Sequence, residues 1–277
     1  LGSGNPEDLW KWLGEAESKT GSQILAIAHN GNLSNGRMFP TAEVYGGKKI
    51  DKAYIETRAK WEKLYEVTQI KGDGETNPAL SPTDEFANFE RLDKSNLDAS
   101  QAKTPEMLQY EYAREALKNG LKLDKEFGTN PYKFGMIGST DSHTGLATAG
   151  EDNFFGKASN MEPNPKRLTK DFFRNFKTGI GIKEWQLSSS GYAAVWAKEN
   201  TRASIFDAMQ RKETYATTGP RMTVRFFGGW DFTPADAQDR MPARVGYAKG
   251  VPMGGDLSNA PAGKSPTFLV AAMKDPM

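Results

Sequence analysis

There is no cysteine among the 277 residues. Disulfides, thiolate zinc sites and cysteine nucleophiles are therefore excluded, and the chain suits either redox setting, cytoplasm or periplasm. Histidine is almost as scarce, with His29 and His143 the only two. Charge of one sign is lacking too: 36 basic against 35 acidic residues leave a net +1. No overall field draws the chain to nucleic acid or to an anionic membrane. No apolar run approaches the roughly 18 residues that a membrane span needs. A Walker loop, a G-x-G-x-x-G after a strand, a G-x-S-x-G and an H-E-x-x-H are all missing, which argues against nucleotide, dinucleotide, serine-hydrolase and zincin chemistry.

What is present is a set of apolar runs that end abruptly in polar residues. Lys133 to Leu146, KFGMIGSTDSHTGL, begins as a strand-like run and turns polar at Asp141 and His143. In extended chain, side chains two apart point the same way, so this carboxylate and imidazole can share a cation. A polar turn with His143 bonded to a backbone carbonyl is the plainer alternative. His29 also closes an apolar run, ILAIAH. Both histidines at the polar ends of strand-like runs fit parallel strands that deliver side chains to a common rim.

Helix and strand signals alternate through much of the chain. Asn5, Pro6, Glu7 and Asp8 open a helix that Gly21 ends. Residues 51–62 read as a helix that feeds a strand Leu64 to Gln69. Thr104 and Pro105 open another helix, followed by the strand Phe134 to Ile137. Residues 192–217 read as strand, helix, strand, for which parallel pairing is the default. Polar connections cover 72–103 and 147–190. From Met222 the texture becomes strand-like without intervening helices. The expected domains are 1–220, an α/β unit, and 221–277, the start of a β-rich extension.

The runs ILAIAHNGNLSNG, LYEVTQIKGDGETNP, GMIGSTDSHTG and RASIFDAMQRKETYATTGPRM resemble a bacterial domain-of-unknown-function family, numbered 3604, placed in the PHP (polymerase and histidinol phosphatase) superfamily. The resemblance implies part of a distorted (β/α)7-type barrel with parallel strands and a metal cluster at the strand ends. It assigns metal-ligand roles to His29, Asp141 and His143. The superfamily's opening His-x-His is absent, and about five core strands can be counted against roughly eight in a closed α/β barrel. The expectation is an incomplete barrel lacking its N-terminal part.

Glu66, inside LYEVTQ, is a further candidate ligand or an orienter of one, with an exposed edge-strand glutamate as the alternative. Arg37 and Lys71 follow strands and can hold an anionic group, with Asn32 as a polar contact. Nitrogen and oxygen donors without sulfur suit divalent zinc, manganese or iron. The resulting expectation is a metal-dependent hydrolase of phosphate esters acting through metal-activated water on a small anionic substrate. The alternatives are a non-catalytic ligand-binding barrel and a metal-dependent hydrolase of another bond, such as an amide or sulfate ester.

Overall fold

The computed structural model describes residues 2–146, 150–159, 162–188 and 190–276. Residues 147–149, 160–161 and 189, inside the polar connection expected over 147–190, lie outside the described residues, as do both terminal residues.

Helix α1 (Pro6–Thr20) starts as its sequence dictates. Asn5 Oδ1 accepts from the Glu7 amide at 3.1 Å, Pro6 fills the first helical position, and Gly21 leaves the helix at φ 66°. The buried Trp10 and Leu13 face inward. A short strand β1 (Ile27–Ala28) follows, and then α2 (Lys52–Trp61), capped by Asp51, whose Oδ1 accepts from the Tyr54 amide at 2.8 Å. The chain continues through β2 (Leu64–Gln69), β3 (Gly72–Asp73), α3 (Pro105–Leu108), α4 (Ala113–Phe127) and β4 (Gly135–Gly138).

β2 is the centre of the main sheet. It pairs in parallel with β1 on one side and with β4 on the other, while β3 folds back antiparallel on its end. Tyr65 and Val67 point into a core built with Trp10, Leu13, Ile55, Trp61, Ala116 and Leu123. Phe39 packs there against Tyr65, Tyr132 and Phe134, at centroid distances of 5.0, 5.3 and 5.6 Å. By strand alternation Glu66 and Thr68 face the other way. The register of β2 against β4 shifts between Glu66 and Thr68. Such a bulge bends a strand and re-aims a side chain beside it.

Next come a hairpin, β5 (Asp171–Arg174) with β6 (Gly181–Lys183), and the unit β7 (Tyr192–Val195), α5 (Arg202–Gln210) and β8 (Thr214–Thr217). The parallel crossover expected there does not form: β7 and β8 are antiparallel, with Val195 opposite Thr214. The chain leaves β7 and enters β8 at the same end, so α5 is an insertion in a hairpin. β8 lies against β4, where Thr214 Oγ1 donates to the Met136 carbonyl at 3.1 Å.

The C-terminal part holds β9 (Thr223–Gly229), α6 (Pro242–Lys249), β10 (Gly250–Pro252) and β11 (Thr267–Met273). These strands form a separate antiparallel sheet ordered β10, β9, β11. A helix thus interrupts the stretch expected to be all strand. α6 packs on one face through Tyr247, whose ring meets Phe227 at 5.0 Å.

The barrel expectation is overturned. Among the described residues the strands form four small sheets, none closed on itself, and only β1, β2 and β4 pair in parallel. The fold is a mixed α/β arrangement of separate sheets. Among the described residues no helix is long and apolar enough to cross a membrane.

Candidate functional site

The C-terminal ends of β2 and β4 gather a charged cluster. Glu66, on the bulged part of β2, accepts from Ser139 Oγ through Oε2, while its buried Oε1 has no partner among the described residues. Beyond β2, the Lys71 amide donates to Gln69 Oε1 at 2.6 Å, a local turn that ends the strand. Beyond β4, Asp141 sits in the left-handed region at φ 47°. Its Oδ2 pairs with Lys71 Nζ and, at 2.7 Å, with Lys157 Nζ. Its Oδ1 lies 3.2 Å from His143 Nε2. The loop bearing Lys157 is fastened in turn, since the His143 amide donates to the Lys157 carbonyl at 2.7 Å.

Two ammonium groups on one carboxylate oxygen set the electrostatics. Burial, and then the charge of Lys157, lower Lys71 from its ordinary value, while the Asp141 carboxylate in contact with it favours the ammonium form. Burial also lowers Lys157, against the pull of Glu66. His143 is lowered mainly by the Lys157 charge, so its imidazole is held toward the neutral form although the ring is exposed.

The remaining sequence candidates are dispersed around this cluster. His29 is exposed and bonds to none of these groups. Asn30, next to it, accepts from Gln69 Nε2 at 2.8 Å. Asn32 is buried, and its amide donates to the Lys71 and Leu92 carbonyls at 3.0 and 2.8 Å, tying the loop after β1 to the turn after β2. Arg37 is exposed and lines a different cavity, of about 600 Å³, with Tyr45 and Tyr54. Lys157 was invisible to sequence reasoning. It sits in an irregular loop with no motif around it, and only the fold brings it to Asp141.

The metal expectation does not survive this geometry. Among the described residues no three of His, Asp, Glu or Cys are grouped to hold a metal ion. The physical reason is local: the carboxylate oxygens of Asp141 are taken by two ammonium groups and an imidazole, and His29 does not join them. Cations already crowd the position where a divalent ion would sit. The zinc, manganese or iron cofactor and the metal-dependent hydrolase both fall with that cluster.

The family described as "Protein of unknown function (DUF3604)" matches residues 1–277. The chain belongs to that family. The wider placing of this DUF3604 chain in the PHP superfamily is not supported, since the described strands show neither barrel closure nor the expected ligand group. No curated protein and no solved structure matches the chain.

Proposed function

We propose that the strand-end cluster binds a small hydroxylated anion, a hydroxy acid or a phosphate-bearing polyol. The observation that carries this reading is the convergence of Lys71 and Lys157 on the single Oδ2 of Asp141. The two ammonium groups carry six N–H donors, more than the Asp141 oxygens accept, and an incoming oxyanion competes with Asp141 for the same N–H groups. Glu66 supplies the complementary element. Its unpartnered Oε1 is an acceptor, and a ligand hydroxyl satisfies it. The oxyanion recognises the lysines and the hydroxyl recognises Glu66, so simple inorganic anions bind more weakly than hydroxylated ones. Neither nucleic acid nor a membrane is the partner in this reading.

The test is calorimetric titration of the protein with sulfate, inorganic phosphate, glycerol phosphate and gluconate. A hydroxylated anion is expected to bind best, and Lys71→Gln or Lys157→Gln to weaken it about tenfold or more. Glu66→Gln should narrow the preference for hydroxylated anions. Absence of binding for all four at about 10 mM, or wild-type affinity retained in both lysine variants, ends the proposal.

A further inference from the structure

The end of the β7–β8 hairpin remote from the strand-end cluster holds a second group of cations. Ser190, just before β7, donates to the Ser139 carbonyl at 3.2 Å, which fixes the start of β7 beside the cluster. Trp196 and Glu213 lie at the other end of the hairpin, where the Trp196 amide donates to the Glu213 carbonyl at 3.0 Å. A cavity of about 470 Å³ opens there, between the hairpin, β9 and α6.

Its lining is ordered by one buried carboxylate. Glu213, 3 % exposed, accepts from Arg211 Nε at 2.8 Å and from the Tyr247 hydroxyl. Arg225 donates through Nη1 to that hydroxyl at 3.2 Å and lies over the Trp196 ring, 3.5 Å from its centroid. Arg211 also donates through Nη2 to the Trp196 carbonyl at 2.6 Å. Burial and the neighbouring Glu213 raise Tyr247, so its hydroxyl keeps the proton that it donates. Both arginines are thus held in fixed orientations by packing and hydrogen bonds, which is the condition for a preorganised site.

The hydrogen bonds leave donors over. Arg211 has Nη1, Arg225 has Nε and Nη2, and the exposed Lys198 has its whole ammonium group without an acceptor among the described residues. The one carboxylate in the lining already serves two donors. Three positive charges against one negative leave a surplus of two, and the unmet groups are all N–H. A ligand that completes this cavity offers acceptors only, with about two negative charges.

We infer that the cavity between β7–β8, β9 and α6 is a binding site for a phosphate ester or diphosphate group, held by Lys198, Arg211 and Arg225. Arginine forks match the oxygens of such a group, and Lys198 adds a point charge at the mouth. The site is separate from the strand-end cluster and independent of the reading given for it.

The experiment uses the whole chain with 5-fluorotryptophan in place of tryptophan and inorganic pyrophosphate as the probe. The Trp196 fluorine resonance is identified by its loss in Trp196→Phe. Titration should shift that resonance saturably, in the wild type and equally in Lys71→Gln. Lys198→Gln, at an exposed position with no bonding partner among the described residues, should raise the apparent Kd about fivefold. The inference is overturned if the Trp196 resonance stays in place up to millimolar pyrophosphate. An identical titration in Lys198→Gln also overturns it, as does loss of the shift in Lys71→Gln.

Discussion

Lys103 and Glu111 form a buried ion pair, with Lys103 Nζ at 2.5 and 2.7 Å from the two oxygens of the Glu111 carboxylate. Their side chains are 8 % and 0 % exposed. The pair also clamps the loop that follows β1. Lys103 donates to the Asn32 carbonyl at 2.9 Å, and Glu111 accepts from the Gly36 amide at 2.9 Å. Removing one partner strands a buried charge, which costs about 3–5 kcal/mol. Lys103→Met should therefore lower unfolding stability by about 3 kcal/mol in urea denaturation. Lys103→Met with Glu111→Leu should lose less than the two single losses added together. Strict additivity would show that the two groups do not act as a pair.

Asp73 gives the chain a stability term that runs against the usual acid dependence. Burial, reinforced by the nearby Glu75 charge, raises its carboxyl from 3.8 to about 7. The folded state therefore binds this proton more tightly than the unfolded chain. The contribution is favourable at low pH and is lost as pH rises from about 4 through 7. Asp73→Asn keeps an oxygen for the Glu75 amide, bonded at 3.1 Å, and removes the charge. The variant should gain on the wild type as pH rises from 5 to 8, by on the order of 1 kcal/mol after screening. Paired urea curves at the two pH values measure it, and a constant difference between the proteins would refute it.

How much of this was legible differs from element to element. β2 was readable because LYEVTQ is a short apolar run between a helix end and a Gly-containing turn. Asp141 and His143 do meet, with Nε2 3.2 Å from Oδ1, yet by a route the two-residue period does not describe. Asp141 adopts φ 47°, so a turn and not an extended strand brings the pair together. The partner that changes the chemistry, Lys157, carries no local signal at all. Sheet closure was illegible for a similar reason. Strand–helix–strand spacing favours a parallel crossover, but nothing local fixes the end at which a helix returns the chain, and here Val195 faces Thr214. The Trp196 and Arg225 contact joins two regions that the sequence reading assigned to different domains.

The core around β2 should bear most of the stability. Ile55, on α2, is fully buried among Trp10, Tyr54 and the β2 side chains. Ile55→Ala removes three buried carbons and should cost about 2–5 kcal/mol. Phe268, on β11, is 57 % exposed and stacks on Phe226 at 5.3 Å. Phe268→Ser should cost under about 1 kcal/mol, since it gives up one surface aromatic pair. Thermal or urea unfolding of the two variants separates the positions. Comparable losses would mean that the C-terminal sheet shares the cooperative core.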